Sequence, residues 1–145
     1  METAQLYQLK KVQSDFPNRS ILNAIDSYNF IKQFYGDDIE VYESFFILLL
    51  DIKNATIGYA KISQGGVVGT IIDTRLIAKY VIDSLATGVI LAHNHPSGRL
   101  SPSKADLSIT EQIRKGLQYF DTKVLDHIIL SKDSYYSMCE NGDLY

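Results

Sequence analysis

At 145 residues the chain has room for one domain, able to bury about 70% of the surface that its unfolded form exposes. Apolar residues at 46% and charged residues at 21% are ordinary for a globular protein, while a net charge of −3 without a Lys/Arg stripe makes a nucleic-acid partner doubtful. The single cysteine, Cys139, excludes a disulfide framework and every Cys-rich zinc cluster, including the Cys-x-x-Cys pair of the zinc nucleobase deaminases.

The opening residues, Met1 to Tyr7, lack a basic region followed by an apolar core, so no signal peptide is expected. Residues 1–39 are expected to form an N-terminal extension with one helix, and residues 40–145 the main domain. Asp15-Phe16-Pro17-Asn18 is a turn signal. Asp26-Ser27 is expected to cap a helix carrying Tyr28, Ile31, Phe34 and Tyr35, which Gly36-Asp37-Asp38 then breaks. Glu40 to Asp51 reads as the first strand. Its core, Phe45 to Leu50, is continuously apolar, which predicts burial on both faces; it is too short to span a bilayer. With no membrane segment, the expected location is cytoplasmic.

Lys53-Asn54 is a turn, Ala55 to Ser63 a returning strand, Gln64-Gly65-Gly66 a second turn, and Val67 to Ile72 a third short strand. A helix capped by Asp73 or Thr74 is expected to run to about Ala86, with Leu76, Ile77, Tyr80, Val81 and Leu85 at helical spacing. Val89 to Ala92 is a buried strand. A helix from about Pro102 to Phe120, a strand from Lys123 to Leu130 and a last one from Tyr135 to Cys139 complete the series. Strands alternating with helices predict an α/β fold, a mixed β-sheet flanked by helices in three layers. Sites in such sheets form where loops leave the carboxyl ends of strands.

His93 and His95 stand at such an end, two residues apart on a nearly extended segment, so their rings can point to one side. Pro96, Gly98 and Pro102 turn the loop back towards Asp106 in the first turn of the next helix. Two imidazoles and a carboxylate make three ligands of an open zinc site, with a fourth position left for water. Asp106 also has a purely structural reading. Ser103-Lys104-Ala105-Asp106 suits a capping box, with Ser101-Pro102 a rival cap. Arg99 at the loop tip could hold a substrate carbonyl or be a solvated loop residue. Tyr135, Tyr136 and Cys139 read as packing residues.

His93-Asn94-His95-Pro96-Ser97-Gly98, then Pro102-Ser103-Lys104-Ala105-Asp106, and later Leu125-Asp126-His127-Ile128-Ile129 together resemble the RadC family. That family lies within the JAB1/MPN (JAMM) metallopeptidase superfamily, whose motif is a distant glutamate, His-x-His-Pro, six residues, Ser, two residues and Asp. The resemblance runs from about residue 40 to the C-terminus and implies a JAB1/MPN-like (cytidine-deaminase-like) fold. It implies that His93, His95 and Asp106 hold zinc and that Ser103 helps to stabilise a tetrahedral oxyanion. The distant glutamate, a general acid/base, falls on Glu43, with Glu40 as competitor. Glu43 shares strand parity with Phe45, Ile47 and Leu49, which would bury a lone acid on an apolar face. For Asp126-His127 a structural pair is weighed against a supporting role behind the metal.

The expectation is a zinc-dependent hydrolase of JAMM type acting on an amide bond in a peptide or protein substrate. The alternative is a non-catalytic, metal-stabilised interaction module associated with DNA repair or mobile-element machinery. Residues 1–39 lack the Gly-rich hairpins of the helix-hairpin-helix region common in RadC proteins, a further mark against DNA binding.

Overall fold

The computed structural model describes residues 3–6, 12, 14–66 and 70–144. Within them the chain forms α1 (Ala24–Ile31), β1 (Glu43–Leu50), β2 (Thr56–Gly65), α2 (Thr74–Ser84), β3 (Gly88–Asn94), α3 (Lys104–Gln118), β4 (Lys123–Leu130) and β5 (Tyr135–Ser137). Short 3-10 turns at Lys32–Phe34 and Asp37–Glu40 join α1 to β1. The five strands make one mixed sheet in the order β2-β1-β3-β4-β5. β3 and β4 are parallel and the other neighbours antiparallel. A parallel pair needs a crossover, and α3 supplies it. The fold is α/β, as the strand-and-helix alternation predicts.

β1 sits inside the sheet between β2 and β3, which is why its apolar run is continuous. Phe45, Ile47 and Leu49 face α2 and α3, packing with Ile77, Val81, Ile113 and Leu117. Leu48 and Leu50 face the other way, onto Ile21, Phe30 and Ile31. Helices therefore cover both faces, and each apolar side chain fully buried there contributes about 1.5–3 kcal/mol. Among the described residues no helix is long and apolar enough to cross a membrane.

Several local expectations are corrected. The cap of α1 is Asn23, not Asp26 or Ser27: Asn23 Oδ1 accepts from the Asp26 N–H at 2.9 Å, and Asp26 Oδ2 accepts from the Leu22 N–H at 2.9 Å. Asn-x-x-Asp starts the helix one turn earlier by the logic of a capping box. Glu40 lies on a 3-10 turn outside β1 and pairs with Lys132 at 3.4 Å. Of the expected strand Val67 to Ile72, residues 67–69 lie outside the described residues, and residues 70–72 carry no regular structure. Cys139 is exposed and follows β5 in a turn, so it is not a packing residue; partial desolvation, with Asp126 and Glu140 nearby, still raises the thiol pKa.

Candidate metal centre

β3 carries His93 to the carboxyl end of the sheet, paired opposite Phe45 of β1 and Ile129 of β4. The His95 N–H continues the ladder by donating to the Leu130 carbonyl at 3.0 Å, so the chain is still extended at His95. Both rings therefore project to one side, and His93 Nε2 lies 2.9 Å from His95 Nε2. The loop beyond bends at Gly98, whose φ of +83° suits glycine. This brings the Arg99 carbonyl into contact with His95 Nδ1. The Arg99 side chain is turned to Ser101 Oγ at 3.1 Å, so in this loop its backbone, not its guanidinium, meets the site.

Ser103 caps α3 with a complete capping box, which decides between the two possible caps. The Asp106 N–H donates to Ser103 Oγ at 3.0 Å and the Ser103 N–H donates to Asp106 Oδ2 at 2.8 Å. The structural and chemical readings of Asp106 hold together, because the carboxylate so fixed lies 3.3 Å from His93 Nε2 and 3.2 Å from His95 Nε2. Glu43, the first residue of β1 and half-buried, joins the group: one ligand atom from each of Glu43, His93 and His95 lies within 4.8 Å of the others. These residues form a possible metal-binding set.

One feature escaped sequence reasoning and another was left open by it. Asn94, between the histidines, is fully buried: its Oδ1 accepts from the Ser44 N–H at 2.7 Å and its Nδ2 donates to the Ile39 and Tyr42 carbonyls at 2.6 and 2.7 Å. It pins the segment that delivers Glu43. His127, for which a structural pair and a supporting role behind the metal are both open in the sequence, is fully buried against the centre, with Nε2 2.7 Å from His93 Nδ1 and Nδ1 2.6 Å from Thr110 Oγ1. Its neighbour Asp126 does have a structural role. It accepts from the His127 and Cys139 N–H groups and the Ser137 hydroxyl, tying β4 to the C-terminal turn, and burial raises its carboxyl pKa.

Two adjoining cavities, about 300 and 700 Å³, share Glu43, Thr70, Ala105 and Asp106. The smaller is closed by Phe45, Ile72 and Ile109; the larger opens past Ser97 and Ser103 towards Glu40. Neither has a lysine or arginine among its described lining residues.

Residues 21–143 match the family model described as a RadC-like JAB domain. The chain belongs to that family. It is 40% identical over 124 residues to a UPF0758 protein of Flavobacterium johnsoniae, a match covering 86% of this chain and 53% of that protein. UPF0758 proteins of Janthinobacterium sp. and Herminiimonas arsenicoxydans are 41% and 42% identical over 103 residues, each match covering 71% of this chain and 46% of the relative. The RadC-like chain thus spans about half the length of these curated relatives. The family match takes in α1, which packs against β4.

The electrostatics of this RadC-like centre set its pH response. Asp106 raises the His95 pKa above its ordinary 6.5; burial opposes that rise, and the Arg99 carbonyl adds to it. For Asp106, burial acts upwards, but the contacts from His93, His95 and the Ser103 N–H hold the carboxyl far below the usual range. In the metal-free protein the charged His95 therefore contributes stability that is complete below its unfolded pKa and is lost as pH rises through the higher folded one. The Asp106 contribution is present above its unfolded value and fades only in strong acid. Metal ligation instead requires neutral imidazole. If the set binds a divalent metal, the rise in Tm on adding that metal is accordingly expected to shrink as pH falls from about 8 to about 5.5, read by thermal denaturation with and without metal. A constant increment over that range would remove His95 from the ligand set.

Proposed function

We propose that this RadC-like domain is a zinc-dependent hydrolase of the JAMM type, cleaving an amide bond in a peptide or protein. The observation that carries the reading is the convergence of His93 Nε2, His95 Nε2 and the Asp106 carboxylate at separations of 2.9, 3.2 and 3.3 Å. A tetrahedral ion with bonds of about 2.0–2.1 Å holds its ligand atoms about 3.3 Å apart, so the carboxylate distances suit zinc and the two nitrogens, 2.9 Å apart, need to separate by only about 0.4 Å. Zinc held by them supplies Lewis acidity and lowers the pKa of water to about 7.

The chain's own residues do the rest. Glu43, at the rim of both cavities, takes a proton from the attacking water and returns it to the leaving amine. Ser103 Oγ accepts from the Asp106 N–H, which leaves its own hydroxyl hydrogen to donate to the oxyanion formed at the carbonyl. The apolar pocket of Phe45, Ile72 and Ile109 receives a substrate side chain beside the scissile bond. A cleft holding Glu40, Glu43 and Asp106, with no lysine or arginine among its described lining residues, favours a neutral or cationic peptide over a phosphodiester.

The test is metal analysis of the purified protein followed by a peptide-library cleavage screen, repeated on His95→Ala. Wild-type protein is expected to hold about one zinc per chain and to cleave a subset of peptides, with both properties lost in the variant. Cleavage persisting in His95→Ala would overturn the proposal. Bound zinc with no cleavage would favour a metal-stabilised interaction module instead.

A further inference from the structure

Behind the ligand face of His93 lies a file of hydrogen bonds that starts and ends on the metal centre, and of the two directions in which its hydrogens can run, the one that begins at the Asp106 carbonyl leaves His93 Nε2 free for a ligand. In that direction the Thr110 hydroxyl donates to the Asp106 carbonyl, which can only accept and lies 2.6 Å away, back along α3. Thr110 Oγ1 then offers only lone pairs to His127 Nδ1 at 2.6 Å, so that nitrogen carries the hydrogen. His127 is fully buried, its ring meeting Thr110, His93 and the edge of Phe45 but no carboxylate, and an imidazole so placed is neutral. Its Nε2 must accept, and the atom facing it at 2.7 Å, His93 Nδ1, must donate. His93 Nε2 is left with a bare lone pair aimed at the space it shares with His95 and Asp106.

We propose that Thr110 and His127 are positioning residues that lock His93 in the Nδ1–H tautomer, the form that presents Nε2 as a ligand. A histidine ligand usually donates its second ring N–H to a carboxylate or a carbonyl. Here a neutral histidine takes that place, and an imidazole can accept or donate at either nitrogen, so it settles the tautomer only if its own is settled. Thr110 does this by way of the Asp106 carbonyl. Asp106 and Thr110 stand one turn apart on α3, so the same stretch of helix supplies the carboxylate ligand and the anchor that orients an imidazole on β3. Without the hydroxyl, His127 can turn Nε2–H towards His93, drive the hydrogen of His93 to Nε2 and block the ligand position.

The metal consequence rests on the proposed zinc site; the tautomer does not, and the test separates them. Long-range proton–nitrogen NMR on the full chain distinguishes the two tautomers of neutral imidazole, and the chain has only three histidines to assign. Metal-free wild type is expected to show His93 as Nδ1–H. Thr110→Val removes the hydroxyl at nearly constant volume and is expected to mix the His93 tautomers and weaken zinc binding about 10–100-fold in competition with a chromophoric chelator. Thr110→Ser keeps the hydroxyl and should restore both readouts. Finding His93 as Nε2–H in wild type, or unchanged tautomer and affinity in Thr110→Val, would overturn the proposal, and the wild-type spectrum decides even if the valine variant fails to fold. Wild type that binds no zinc but shows His93 Nδ1–H would remove the hydrolase reading while supporting the hydrogen-bond file.

Discussion

Asn94→Leu is expected to destabilise the protein by about 3–5 kcal/mol. The side chain is fully buried and makes three hydrogen bonds, to the Ser44 N–H and to the Ile39 and Tyr42 carbonyls. Leucine repeats its branching but is bulkier, satisfies none of the three and excludes the water that would replace them. Each polar group left unpaired costs about 1–3 kcal/mol, and the three are not fully additive because they lie within six residues of one another. At about 2–4 °C per kcal/mol for a chain of this size, the melting temperature should fall by roughly 10 °C, measured by calorimetry on metal-free protein. Metal-free protein matters here, because any zinc bound at the neighbouring histidines would mask part of the loss. A fall of less than about 3 °C would show that the Ile39–Ser44 segment is held by other contacts, of which the Tyr35 hydroxyl donating to the Ser44 carbonyl at 2.8 Å is the foremost.

What could be read from the sequence divides by the range of the interaction responsible. The continuous run Phe45–Leu50 announces a strand buried on both faces, because burial alone sets that pattern, and β1 is such a strand. His93 and His95 were legible because two-residue spacing in an extended segment is local geometry, and Asp106 because a helix start fixes its own first turn. Asn94 was not: it lies between two conspicuous ligands, and its partners are some fifty residues away across the turn before β1. His127 was ambiguous for the same reason. Nothing in Leu125-Asp126-His127 says which ring it will meet, and only the parallel pairing of β3 with β4 sets it beside His93. The carboxylate acid/base question was also one of distance. Glu40 and Glu43 differ little in composition of their surroundings, yet one sits on a 3-10 turn bonded to Lys132 and the other begins the strand facing the histidines.

That difference makes Glu43→Gln the most informative change at the site, with turnover expected to fall about 10²–10⁴-fold if Glu43 shuttles the proton in the proposed hydrolase. Glutamine keeps the shape and can still hydrogen-bond to water, but it cannot accept a proton at neutral pH. Zinc content and melting temperature should stay near wild type, since the side chain is half-buried at the start of β1 and none of the capping or ladder contacts around Asp106 depend on it. Glu40→Gln serves as the comparison. It removes a surface pair with Lys132 and one charge from the outer cleft but no group beside the histidines, so kcat should change less than about threefold and any larger effect should fall on KM. The pair of carboxylates around the histidines makes the metal measurement as important as the kinetic one. Glu43 lies within ligand range of both imidazoles, and Asp106 touches both. If Glu43→Gln lost the metal and Asp106→Asn kept it, the two acids would exchange roles: Glu43 would be the third ligand, and Asp106, held by the helix cap, the proton carrier. Loss of metal in Asp106→Asn with retention in Glu43→Gln supports the arrangement proposed above, in which the helix start supplies the ligand and the strand start supplies the base.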